Sequence, residues 1–236
     1  MNDTRHIVTD IGEIMWKCNL TVVLILVVCK AICDGRKDIQ NDHKHWKADI
    51  DGGRLMNSVV KACPRVVTRE EWGARPAKDR SDMATPVPFV ILHHTDMPEC
   101  FTFDDCCKMM RSIQDFHMDV RGWNDIAYSF LVGEDGLVYR GRGWDTVGSH
   151  APWYNFRSLG ISIMGNFTTK LPNQKAIEAV DEIINCAIVN NKLKSDYILY
   201  GHRQATPNRT CPGQALFDMI QTWPHWKPGN HFPPKQ

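Results

Sequence analysis

The sequence carries no excess of charge of either sign: 28 Lys and Arg stand against 27 Asp and Glu, a formal net charge of +1. A chain so balanced offers no electrostatic footprint for nucleic acid, and no nucleic-acid partner is expected. There is no internal repeat and no low-complexity tract, which excludes repeat arrays and compositionally biased architectures. A long hydrophobic run is also missing. The most apolar stretch is Cys18–Cys33 (CNLTVVLILVVCKAIC), and its apolar core runs only from Leu20 to Cys29, apart from Thr21. A membrane-spanning helix needs about 20 apolar residues. The length, 236 residues, suits one ordinary domain with extra segments rather than two large domains.

What is present begins with nine cysteines, more than a cytosolic enzyme of this size usually carries, so disulfides or metal ligands are expected. The short apolar core fits the h-region of a secretory signal peptide, with Lys17 before it and small residues around Ala31–Cys33 after it. The segment ahead of it is long and partly acidic, which leaves a short signal anchor as the alternative. The expected location is therefore secreted and extracellular, or membrane-anchored through the N-terminus with the domain outside. Residues 34–62 are polar and aperiodic and read as a linker. The expected organisation is residues 1–33 as signal or anchor, 34–62 as linker, 63–228 as the domain and 229–236 as a tail.

From Cys63 onward the pattern is that of an α/β domain, a central mixed sheet flanked by helices. Val87–Leu92 is a continuous apolar run ending at His93, as in a buried strand. Asp104–Val120 has helical spacing, with Thr102 or Asp104 as N-cap. Ile126–Val132 and Leu137–Arg140 flank Gly133-Glu-Asp-Gly136 and read as a hairpin. Leu159–Met164 and Tyr197–Tyr200 are further strands. Asn173–Asn191 is an amphipathic helix, and Gln214–Trp223 a last one, opened by Pro212-Gly213 and closed before Pro224.

His93 stands where one strand ends, His202 follows another through a glycine, and Cys211 precedes Pro-Gly. Two imidazoles and a thiolate suit tetrahedral zinc, and three protein ligands leave a fourth position for water. The two histidines are far apart in sequence, so on pattern alone packed or surface histidines remain the plainer reading.

Several ordered motifs change that balance: VVTREEWGA (66–74), VILHHT (90–95), CFTFDDC (100–106), GWNDIAYSFLVGEDGLVYRGRGW (122–144), GSH (148–150), SLGISIMGNF (158–167), LYGHRQ (199–204) and CPGQALFDMIQTWPHW (211–226). Over this stretch the chain closely resembles the peptidoglycan recognition proteins, the animal branch of the type 2 N-acetylmuramoyl-L-alanine amidases. The resemblance implies that His93, His202 and Cys211 hold Zn2+, and that Tyr128 orients the attacked carbonyl or the reacting water. It implies bacterial peptidoglycan or muropeptides as partner. The reaction implied is hydrolysis of the lactyl-amide bond between N-acetylmuramic acid and L-alanine, in innate immunity. His94, Thr95, His117, Arg121, Gly122, Trp123, Tyr128, His150 and Asn155 match positions lining the peptidoglycan groove. The Gly122-Trp123 pair goes, in the family, with diaminopimelate-type stems, and Arg157 is a candidate partner for the extra carboxylate. Members that have lost activity lack the cysteine or the tyrosine; both are here, so an enzyme is expected, with a non-catalytic peptidoglycan receptor as the alternative. The loop from His202 to Cys211 is one residue longer than the family usually has, and it places Arg209 where a cation could assist an oxyanion. A Cys100–Cys106 disulfide is implied by the same comparison; Cys63 and Cys186 would form a second, and Cys107 is left as a buried thiol. Asn166-Phe-Thr168 and Asn208-Arg-Thr210 are glycosylation sequons.

Overall fold

Among the described residues six strands make one sheet, and their alternation decides which residues reach the site. The computed structural model describes residues 63–232. The expected signal or anchor segment, the linker and the last residues of the tail lie outside the described residues. The strands are β1 (Val66–Val67), β2 (Val87–His94), β3 (Phe130–Val132), β4 (Val138–Arg140), β5 (Ser158–Ile163) and β6 (Leu193–Gly201). The helices are α1 (Phe103–Asp115), α2 (Gln174–Val189), α3 (His202–Ala205) and α4 (Gln214–Ile220). The sheet order is β1-β4-β3-β5-β2-β6. Only the β3–β4 hairpin is antiparallel; every other neighbouring pair is parallel. The expected mixed sheet flanked by helices is what the chain forms.

Side chains alternate across a strand. Val90 and Leu92 of β2 therefore join Leu159, Ile161 and Ile163 of β5 and Phe130 and Val132 of β3 on one face. There α2 lays down Ala176, Val180, Ile183, Ile184 and Ala187. Asn173 caps this helix, its side-chain oxygen accepting from Ala176 N at 3.0 Å, a contact worth about 1 kcal/mol. The other face carries Ile91 and His93 of β2 and Gly160 and Ser162 of β5. At its β1–β4–β3 end it is covered by α1, whose Cys106, Cys107, Met110 and Ile113 pack on Leu131, Tyr139 and Val67. The rest of that face, towards the C-terminal ends of β5, β2 and β6, is left for the site. In open sheets with parallel strands this is where ligands bind.

The three largest boundary differences from expectation have local causes. The helix expected over Asp104–Val120 is α-helical only to Asp115, after Thr102 as N-cap; Phe116–Val120 is a π-helical turn, with Arg121 N donating to Phe116 O at 3.0 Å. The wider turn buries His117, and such turns recur at functional sites. The first hairpin strand starts at Phe130 rather than Ile126, because the Ile126 carbonyl is taken by the Arg142 side chain at 2.7 Å and cannot enter a ladder. At the sheet edge, β6 begins at Leu193 through exposed Lys194, Ser195 and Asp196, a polar start suited to an edge strand.

Both expected disulfides are formed. Cys63–Cys186 ties the start of the domain to α2, and Cys100–Cys106 ties the loop before α1 to its first turn. Cys107 is a buried free thiol. Among the described residues no helix is long and apolar enough to cross a membrane.

Candidate metal centre and groove

Strand register brings the two distant histidines together. Leu92 of β2 pairs with Gly201 of β6. The next residues, His93 near the end of β2 and His202 at the start of α3, stand side by side, with ring centroids 4.3 Å apart. Cys211 arrives from the following loop, its Sγ 3.7 Å from His93 Nδ1. The loop is held in place by Arg203, whose backbone N–H donates to Cys211 O at 2.9 Å and whose side chain donates to Thr210 O. The stretch Pro207–Thr210 between the two ligands is exposed, and Asn208 there adopts φ 56°. Gly213 then turns the chain at φ 92°; a Cβ there would lie 2.4 Å from the Phe167 backbone, so only glycine allows this approach.

One ligand atom from each of His93, His202 and Cys211 lies within 4.8 Å of the others. Tetrahedral zinc, with Zn–N of about 2.0–2.1 Å and Zn–S of about 2.3 Å, sets N···S near about 3.6 Å and N···N near about 3.3 Å. The donor chemistry suits such an ion, and the 3.7 Å from His93 Nδ1 to Cys211 Sγ is close to the N···S separation it sets. Burial holds both imidazoles neutral, the form that ligates. The His93 pKa is pushed far down by burial and then by the charges of His202, His150 and His94. That of His202 falls to about 4 through burial and the Arg209 charge. Burial pushes the Cys211 thiol up to about 12, against a hydrogen bond from the His94 backbone N–H, 3.4 Å from Sγ. A cation binding there must displace the thiol proton.

Tyr128 stands beside this centre, its ring 5.1 Å from that of His93. Burial first, then the Cys211 sulfur, hold its phenol protonated, against the pull of the Ser162 hydroxyl. Next to it, His117 stacks on Trp123 at 4.9 Å and accepts from Ala127 N through Nδ1. Gly122, at φ 70°, lets the chain reverse between them. Exposed Arg121 lies over the Phe116 ring.

The other residues expected in the groove are placed as follows. His94 is buried, its Nδ1 accepting from Phe167 N at 3.3 Å. Thr95 Oγ1 accepts from Gly165 N at 2.9 Å. Asn155 Oδ1 accepts from both His150 N and Ala151 N at 2.8 Å and so closes the loop after His150. His150 itself is buried against His93, Nδ1 to Nε2 at 3.1 Å. Arg157 lies over Tyr154 and Phe89, at a level four strand residues, about 13 Å, from His93. Arg209 is exposed and lines a cavity of about 650 Å³ with Arg203, Trp226 and Phe232.

Sequence reasoning did not single out Arg142. Its guanidinium holds Ile126 O, Val147 O and Ser149 Oγ at 2.6–2.9 Å, bracing the segment that carries Tyr128 to the one that carries His150. No motif marks such a brace. Gly160, inside a strand, did carry a signal of close approach.

A mixed sheet with a His-His-Cys constellation at its parallel strand ends, flanked by a half-buried tyrosine, defines a class of α/β domain with a candidate metal site. Residues 83–214 match the family model described as N-acetylmuramoyl-L-alanine amidase. The chain belongs to that family. It is 46% identical over 168 residues to a mouse N-acetylmuramoyl-L-alanine amidase, covering 70% of this chain and 32% of the relative. It thus spans about a third of that relative's length. Among solved structures, wild-type Drosophila PGRP-LB superposes with a TM-score of 0.68 at 43% identity, covering 69% of this chain and 96% of that one. Peptidoglycan recognition protein-LE, in complex with tracheal cytotoxin, a monomeric diaminopimelic acid-type peptidoglycan, gives 0.68 at 38% identity over 69% and 95% of the two chains.

Proposed function

We propose that the domain is a zinc-dependent N-acetylmuramoyl-L-alanine amidase. It binds bacterial peptidoglycan or muropeptides outside the cell, in innate immunity, and hydrolyses the amide between the lactyl group of N-acetylmuramic acid and L-alanine. The observation that carries this reading is the convergence of His93, His202 and Cys211 on one point beside Tyr128. Zinc held there supplies Lewis acidity and a lowered pKa for water. Tyr128, kept protonated, donates a hydrogen bond to the carbonyl oxygen as negative charge grows on it. His117 and Trp123 form a rigid aromatic wall, and the loop closed by Asn155 forms the opposite side of the groove. One water is consumed: the C–N bond breaks, the lactyl group ends as a carboxylate and L-alanine leaves as the free amine. Arg209, an exposed cation near His202, assists at the oxyanion.

The diaminopimelate-type stem is the favoured substrate, on the Gly122-Trp123 pair and on the ligand of the LE relative. A secreted domain, or one anchored by its N-terminus, agrees with two disulfides, which need an oxidising compartment. The test is release of stem peptide from both muropeptide types by the zinc-loaded chain. Release, faster for the diaminopimelate type, is expected. Binding without release would replace the enzyme with the non-catalytic receptor.

A further inference from the structure

His93 uses one ring nitrogen towards the metal and has the other to spend. Its Nδ1 faces the Cys211 sulfur at 3.7 Å, and its Nε2 lies 3.1 Å from Nδ1 of His150. The two ring planes are perpendicular, at 89°, with centroids 5.1 Å apart. Metal-ligating histidines give their second N–H to a fixed acceptor, and that acceptor sets both tautomer and ring angle.

We infer that His150 is a positioning residue: its Nδ1 accepts the Nε2–H of His93, leaving His93 Nδ1 bare and aimed at the cation. This deepens the metal reading above and rests on it. The fold goes to some length to seat the ring. A Cβ on Gly160 would lie 2.4 Å from His150 Cδ2 and 2.6 Å from its Cγ, and one on Gly148 would lie 2.5 Å from Cδ2. Two backbone segments thus press on the imidazole where any side chain would expel it. Asn155 fixes its backbone from below, through the N–H groups of residues 150 and 151. The ring's own Nε2 is buried with no partner. An orphaned buried nitrogen is uncommon and calls for a reason; here the opposite nitrogen is the one the site uses. His150 is 6% exposed, so the ring is held almost wholly inside the protein beside His93.

Two measurements test this. In the metal-free chain, long-range 15N–1H correlation spectra should show both His93 and His150 as Nε2–H tautomers. A proton on His93 Nδ1, or on His150 Nδ1, overturns the inference. Zinc affinity by chelator competition is the second. His150→Ala should weaken it about 10- to 100-fold, whereas His150→Asn, whose amide oxygen replaces Nδ1, should stay within about threefold of the unsubstituted chain. Gly160→Ala should weaken zinc like His150→Ala, and should add nothing in the His150→Ala background, where the ring it displaces is gone. Unchanged affinity in both single variants overturns the inference. Failure of the unsubstituted chain to bind zinc sinks the metal reading as well, and is recognised by the missing reference isotherm.

Discussion

His93 and His202 stand side by side because Leu92 and Gly201 are register partners in adjacent parallel strands. Neither loop length nor local propensity places them; the ladder does. His93 lies in the buried centre of the sheet, His202 opens α3 directly after β6, and only Cys211 depends on a loop.

Removing that third ligand separates binding from chemistry. Cys211→Ala should abolish stem-peptide release and weaken zinc by more than about 100-fold, since a two-histidine site loses its only thiolate. Muropeptide affinity should survive, because the groove walls come from other segments. Undiminished cleavage would refute the assignment of the sulfur.

Tyr128→Phe removes one hydroxyl and little volume. The expected result is a fall in kcat of about 10²- to 10³-fold, with KM and thermal stability nearly unchanged, as for loss of one donor to a developing oxyanion. Equal kcat in the two proteins would remove Tyr128 from the chemistry.

The metal-free domain should lose stability as pH falls. Burial lowers the pKa of His117 and of His202 to about 4 and of His150 to about 3, from 6.5. Between about pH 6.5 and these values the unfolded chain binds protons that the native one refuses, so stability rises with pH there and is lost on acidification. Melting temperatures of the chelator-treated chain should drop from pH 7 to pH 5; a flat profile would contradict the buried, neutral state of these rings.

The disulfides differ in reach. Cys63–Cys186 spans a sequence separation of 123 and Cys100–Cys106 one of 6. Loop-closure entropy gives about 5 kcal/mol for the first and about 2 kcal/mol for the second. Cys186→Ser should therefore lower the denaturation midpoint more than Cys106→Ser; the reverse order would show that strain or residual structure governs instead.

Much of this was legible in the residues. An apolar run marked β2, a cap marked α1, amphipathic spacing marked α2, and the motifs around His93, His202 and Cys211 marked the constellation. What the sequence hid was pairing and local register. The π-helical turn at Phe116 changes which way His117 points without changing the apolar period that announced the helix. The Ile126–Ser129 segment has strand composition, yet Arg142 takes the carbonyls of Ile126 and Tyr128, and Ser149 N takes that of Ala127. The contact of His150 with His93 joins residues 57 apart in sequence, and no local pattern encodes it.

The most direct measurement is zinc K-edge X-ray absorption on the purified chain after equilibration with one equivalent of the metal. Expected is a four-coordinate shell with one sulfur at about 2.3 Å and the remaining light atoms at about 2.0–2.1 Å, two of them imidazole nitrogens. A shell of oxygen and nitrogen alone, without sulfur, would contradict the convergence of His93, His202 and Cys211 on one ion.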